Sequence, residues 1–222
     1  TNTIRTKKNV VISHTFALTS GEGRIVSDKS NGLCYSLRSE ILPFGEFKNN
    51  GDYIESDIFF EDKFKLSLAA VYSFNNKTSR VAGQLGEYLF NNQRADIHYY
   101  GFDWVMKKRG WSFTGELYRR KSGNGISVNP TNPSKPNFVY SGTVLLVQSG
   151  ILFTKKDELA ARYGFTSPDA KISRYISRVN EYMIAYSHYF FRHNLKLQTD
   201  AAYYRGISQK ILQWRFTGIV TF

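Results

Sequence analysis

Apolar and polar positions alternate with a period of two over ten separate stretches of the chain. A strand sends successive side chains to opposite faces, so this alternation predicts strands with one apolar and one polar face. The last stretch, 211–222, shows it most fully. Leu212, Trp214, Phe216, Gly218, Val220 and Phe222 share one parity, and Gln213, Arg215, Thr217, Ile219 and Thr221 the other. Taken alone, it also fits the last, half-buried strand of a soluble sheet. The same period marks 9–18, 33–42, 64–74, 97–107, 111–121, 140–153, 158–165, 180–190 and 195–204. In the first of these, His14 interrupts a face made by Val10, Ile12, Phe16 and Leu18. The residues Lys108-Arg109-Gly110 read as a tight hairpin turn, and 154–157 and 191–194 as two more.

Residues 43–63 are ambiguous, because Ile54, Ser56, Ile58 and Phe60 alternate well enough for a strand at 53–60. Connection lengths decide between the readings. Strands of an up-and-down barrel alternate in direction, and outer-membrane barrels carry short turns at one end and long loops at the other. With 53–60 left out, the long connections 19–32, 75–96, 122–139 and 166–179 and the intermediate 205–210 fall at one end. The short ones, 108–110, 154–157 and 191–194, fall at the other. Counting 53–60 as a spanning strand would move 75–96 to the short-turn end. Residues 43–63 are therefore expected to form one elaborate periplasmic-side connection, with a short helix or a non-spanning strand.

The expected fold class is all-β: an antiparallel up-and-down transmembrane β-barrel, with ten spanning strands in one domain over 1–222. The stretches run about ten residues, the length of a tilted membrane strand, whereas strands of soluble sheets average about five or six. Aromatic residues near strand ends (Trp111, Tyr163, Phe165, Phe190, Tyr203, Trp214 and Phe222) fit interfacial belts.

Composition agrees. Tyr (15) and Phe (17) are abundant while Met (2) and Pro (5) are scarce, which favours strands. Mean hydropathy is below zero and no run approaches the length of a membrane helix. A barrel needs only one apolar face per strand, so it is not excluded. The net charge is +12, yet no five Lys or Arg residues are consecutive, which argues against a nucleic-acid partner. The single cysteine, Cys34, allows neither an internal disulfide nor a cysteine-rich metal site, and no cofactor is expected. The chain begins at Thr1 without Met and without a signal peptide, so the expectation is a removed leader or a fragment of a longer chain.

Catalysis finds little support. The histidines are His14, His98, His188 and His193, and the first and third carry the parity of the apolar face. Asp96 and His98 are spaced for an acid–His pair near the rim, which is weighed against a simple rim hydrogen bond. No G-x-S-x-G, H-E-x-x-H or phosphate-loop pattern occurs. No enzyme activity is expected.

If the parity of 211–222 marks the lipid face, the opposite face carries Arg38, Lys65, Lys107, Arg120, Arg162, Lys196 and Arg215. It also carries Glu40, Asp103, Glu116, Glu158, Glu181 and Asp200. These are the pore-lining candidates. Basic and acidic residues nearly balance, so the excess charge lies in connections, at Arg80, Arg94, Lys171, Arg174, Arg178, Arg205 and Lys210. Rings of Arg or Lys select anions, and here acids dilute them. The expectation is a general or weakly anion-preferring porin whose basic mouth concentrates anions. The plainer reading of the wall residues is as Arg–Glu braces, and of the basic loops as contacts to lipopolysaccharide.

Five runs carry a family resemblance: LPFGEFKNNGDY (42–53), KLSLAAVYSFNN (65–76), RGWSFTGELYRR (109–120), ELAARYGFTSPD (158–169) and LKLQTDAAYY (195–204). Together they resemble the phosphate-selective porin O/P family, in its Bacteroidetes outer-membrane form, over most of 9–222. The resemblance implies a passive diffusion channel of the bacterial outer membrane, often trimeric. It also implies a barrel of about sixteen strands, of which this chain matches the C-terminal part, with about six strands before Thr1. The alternative is a complete ten-strand barrel with its interior filled by side chains. Trp214, Phe216, Gly218, Val220 and Phe222 are similar to the C-terminal signal read by the barrel-assembly machinery. Expected partners are outer-membrane lipid and lipopolysaccharide, that machinery, and either two further copies or an envelope complex. The family's phosphate ladder matches no positions here residue by residue. The second functional reading is a structural or interaction barrel that anchors a larger complex with its lumen blocked. Residues 122–139, with Pro130, Pro133 and Pro136, are a candidate to fold inward, on length alone.

Overall fold

A computed structural model of the chain describes residues 1–6, 9–23, 32–192, 194–206 and 210–220. The strands are β1 (Asn2–Arg5), β2 (Val11–Ser20), β3 (Leu33–Leu42), β4 (Lys65–Thr78), β5 (Ala95–Lys108), β6 (Trp111–Ser122), β7 (Ile126–Ser127), β8 (Asn137–Phe138), β9 (Gly142–Leu152), β10 (Asp157–Pro168), β11 (Val179–Phe191), β12 (Leu195–Gly206) and β13 (Lys210–Val220). The two-residue strands β7 and β8 pair only with each other. All the rest form one eleven-stranded antiparallel sheet in which every strand lies beside its neighbour in sequence, with β9 following β6.

The ten periodic stretches correspond to the ten long strands, and 53–60 is not a strand. The short β1 was not foreseen. β1 and β13 form the two edges and are not paired with each other among the described residues, where the sheet is open. Among the described residues the helical pieces are two short 3-10 segments, Lys48–Tyr53 and Phe90–Asn92, and no helix is long and apolar enough to cross a membrane.

Residues 43–63 reveal how the sheet curves. They are touched from β3 (Glu40 to Tyr53), β5 (Lys107 to Gly51), β9 (Gln148 to Glu55) and the β11–β12 turn (Arg192 over Phe59). One segment can meet strands so far apart in the sheet only if the sheet curls around it. The face toward it is concave.

Burial is the reverse of that in a water-soluble sheet. The convex face carries the apolar side chains and leaves them open, as with Phe16 at 64%, Ile184 at 62%, Trp214 at 74% and Phe216 at 72% exposure. The concave face carries the charged and polar ones, and several are buried: Lys107, Glu158, Ser187 and Asp200. Apolar clusters on the inner side are small. Val11, Leu42 and Phe47 meet near the turn end, and Met183, Ala185 and Ala202 lie beneath the polar wall.

At the long-connection end the loops pack on one another. Val81, Leu89, Ala95, Ile97 and Val139 form a cluster there. The Tyr140 amide donates to the Val81 carbonyl at 3.1 Å, and the Phe90 amide to the Ser127 hydroxyl at 3.0 Å. Residues 122–139 thus pair with the 79–94 loop through the β7–β8 ribbon.

Candidate functional site

Each pore-lining candidate sits on the concave face, because the ladder keeps the parity read from the sequence. Thr15 faces Arg38, Asp103 faces Glu116, and Asp200 faces Arg215 across adjacent strands. What parity could not give is the pairing. The Arg38 guanidinium donates to both carboxylate oxygens of Asp103, at 2.5 and 2.9 Å, and lies 3.9 Å from Glu40. These residues stand on β3 and β5, and the β4 position between Glu40 and Asp103 is the small, buried Ala69. A larger side chain there would block the bridge. Glu40 also accepts from the Ser67 hydroxyl at 2.8 Å.

The remaining wall charges follow the same logic. Arg215 donates to Asp200 at 2.8 Å, and Arg162 lies 3.8 Å from Glu181. Glu158 accepts from the Tyr189 hydroxyl at 2.5 Å. The Lys196 ammonium lies 5.2 Å from the centre of the Tyr189 ring. Lys65 donates to the Phe44 carbonyl at 2.8 Å. Arg120 and Glu116 complete the set without an ion pair among the described residues. Paired charges in a hydrogen-bonded wall brace it and leave little net field.

Lys107 is different in kind. It is 1% exposed, and its ammonium donates to three main-chain carbonyls, Gly51 at 2.6 Å, Ile54 at 2.6 Å and Ser56 at 2.7 Å. No carboxylate takes part. The three carbonyls match the three donors of an ammonium, and they all belong to residues 43–63. The segment is held at its other side by the β5–β6 turn. Arg109 and Gly110 have φ of 50° and 84°, the left-handed pair that a two-residue hairpin turn of matching twist requires. Their amides point at the segment: Arg109 donates to the Glu61 carbonyl at 2.7 Å and Gly110 to the Asp57 carboxylate at 2.7 Å. Asp57 also accepts from the Glu61 amide at 3.1 Å. Burial pushes the Asp57 carboxyl above the usual carboxylate range, and these two amides and Lys107 restrain the shift. Desolvation likewise raises Asp52.

The connection expected at the turn end therefore folds onto the concave face. It divides the space there. One cavity of about 310 Å3 lies between Glu55 and Gln148, Arg162, Tyr189 and Lys196. Another of about 390 Å3 lies between Asp52 and Arg38, Asp103, Glu116 and Tyr118. Tyr53, Ile54 and Glu55 border both. It is this segment, rather than 122–139, that enters the curve of the sheet.

The candidate acid–His pair does not form. Asp96 accepts from the Lys77 amide at 2.8 Å, while His98 bonds the Tyr72 hydroxyl at 3.0 Å and stacks on Phe74. An acid–His contact does exist elsewhere, between Asp157 and His188 at 2.7 Å on the convex face, with Tyr186 donating to the same oxygen. His14, also convex, bonds Ser39, and His193 lies outside the described residues. Among the described residues no three His, Cys, Asp or Glu side chains gather to hold a metal ion. Of the C-terminal signal residues, Trp214, Phe216, Gly218 and Val220 lie on the convex face of β13, and Phe222 lies outside the described residues.

Several basic loop residues are engaged. Arg94 pairs with the buried Glu22 at 3.1 Å, Arg80 stacks on Tyr88, and Arg174 and Arg178 stack on Tyr175 and Phe165. Sequence reasoning missed Tyr53, Glu55, Gln148 and Tyr189. Tyr189 and Gln148 carried the right parity for the wall.

The chain matches no family model, no curated protein and no solved structure.

Proposed function

We propose that the chain forms the wall of an outer-membrane β-barrel channel, through which small hydrophilic solutes diffuse passively. The observation that carries this reading is the inverted burial over ten consecutive long strands, with apolar and aromatic side chains exposed outward and charges inward. Water penalises such a convex surface at roughly 25 cal/mol per Å2 of apolar area, and lipid removes that penalty. Strands of ten to fourteen residues and the segregation of long and short connections support it too. The reading agrees with the resemblance to phosphate-selective porins, and it implies outer-membrane lipid and lipopolysaccharide as surroundings. The paired wall argues for weak charge selectivity, with a slight anion preference set by the surplus of basic residues. Residues 43–63 narrow the path at the turn end.

The test is single-channel recording from refolded protein in planar bilayers. A stable current with a reversal potential slightly favouring anions is expected. No current from folded, membrane-inserted protein would sink the channel reading. It would favour the second reading, a structural barrel within an envelope complex. That alternative rests on residues 43–63 occupying the concave space.

A further inference from the structure

Arg120 is the exception on the basic wall. The other concave cations each pair with a carboxylate, donate to a carbonyl or lie over an aromatic ring. Among the described residues no carboxylate lies within ion-pair distance of Arg120, although the side chain is only half-exposed. It borders a cavity of about 380 Å3 whose larger walls are Tyr99, Tyr118, Tyr140, Val144, Pro168 and Ile176, with serine and threonine side chains, Thr166 among them, between these.

The ladder explains the arrangement. Arg120 stands opposite Tyr99 on β5 and Gly142 on β9, and Tyr118 stands opposite Gly101 and Val144. A Cβ on Gly101 would come within 2.8 Å of the Tyr118 ring, so glycine leaves the room in which that ring lies over the β5 backbone. The ring then stacks on Tyr99, with centroids 5.3 Å apart and planes 26° apart. The result is a flat aromatic wall beside a single guanidinium, facing an aliphatic wall.

We propose that this cavity binds a small planar organic carboxylate of the benzoate type. The guanidinium fork takes the carboxylate in two parallel hydrogen bonds, and the tyrosines and aliphatic wall take the ring. A half-buried cation with no counterion is costly, and an anionic ligand offsets that cost. One cation and mostly apolar walls suit a monoanion with an apolar body. Inorganic phosphate carries more than one negative charge at neutral pH and no apolar body, whereas the cavity offers one cation and large apolar walls. As a solute class for the pathway, this rests on the channel reading; as a binding site, it can be measured without any current.

The experiment titrates benzoate into the refolded full chain in detergent micelles by calorimetry, with benzyl alcohol, acetate and inorganic phosphate as comparators. Benzoate is expected to bind at least about tenfold tighter than each comparator, and Arg120→Gln to weaken it by about tenfold or more. Thr166→Glu, which puts a carboxylate into the same cavity, should weaken it similarly and carries the test if the Arg120 variant fails to fold. Benzoate binding unchanged in a folded variant, phosphate binding tighter than benzoate, or no benzoate binding to folded protein would each overturn the proposal. A protein that conducts without binding benzoate overturns this site alone. One that binds benzoate but never conducts overturns the channel alone.

Discussion

Replacing Lys107 with Met should release residues 43–63 from the concave face. Methionine keeps most of the unbranched stem and removes the ammonium. Three carbonyls, those of Gly51, Ile54 and Ser56, then lose their donor. A buried acceptor left unsatisfied costs about 1–3 kcal/mol, so three of them reach roughly 3–9 kcal/mol in a dry site. Two effects reduce this. Water can enter from the cavities beside Tyr53 and Glu55, and the variant no longer keeps an ammonium out of water. A net loss of about 3 kcal/mol is the working estimate, which raises the undocked population about a hundredfold. The bonds at Arg109 and Gly110 remain, so the segment should swing on that side rather than detach. Limited proteolysis and hydrogen exchange within 43–63 report the release directly. Single-channel conductance reports whether the released segment had narrowed a pore. Wild-type protection of 43–63 in a folded Lys107→Met protein would refute the carbonyl-cage account, whatever the conductance does.

Three further outcomes follow from the same structure. The Asp57 carboxyl has a folded pKa raised above its unfolded value, so the docked segment binds more protons than the released one. Docking should therefore weaken as pH rises from the ordinary Asp range through the raised value, and Asp57→Asn should reduce that slope in hydrogen-exchange protection, the remainder of the same sign coming from Asp52. Asp62, held below its ordinary value by Lys48, acts in the opposite sense but only at lower pH. Leu117→Arg on the convex face should cost about 2–4 kcal/mol for folding into phospholipid vesicles and far less in detergent; equal stability in vesicles would contradict a lipid-facing surface. A double-mutant cycle on Arg38→Gln and Asp103→Asn should give a coupling of about 1 kcal/mol, modest because Arg38 stays 37% exposed. Additive effects in urea titrations would mean the bridge does not brace the wall.

The ten long strands and the parity of each wall residue were legible in the sequence, because the period of two is a local property. Leu33–Leu42 and Trp111–Ser122 were read almost to the residue, since tight turns or polar loops bound them. β1 was invisible, for four residues are too few to display a period. The β7–β8 ribbon, at two residues a strand, lay below any window. The partner of Arg38 was not legible either, because it depends on register across two ladders and on the smallness of Ala69. The inward course of 43–63 left the least trace. Lys107 lies on the concave face, as its parity implies, but its partners are main-chain carbonyls, which any residue type supplies.

The position of that segment along the chain sets an order of events. It follows β3, and most of what holds it comes later: Lys107 and Gly110 on the β5–β6 hairpin, Gln148 on β9, and Arg192 after β11. When 43–63 has just been laid down, only its earlier contacts, Arg5 to Glu46, Glu40 to Tyr53 and Val11 to Phe47, have partners in the chain already made. Its full seating waits until about a hundred and thirty residues further on have found their places and the sheet has bent around it. Its seating is then the last act of folding rather than an early one. Every strand from β3 to β11 can zip before the interior is occupied. An assembly intermediate of this protein would be a curled sheet with an empty interior, and the first sign of its completion would be the protection of residues 43–63.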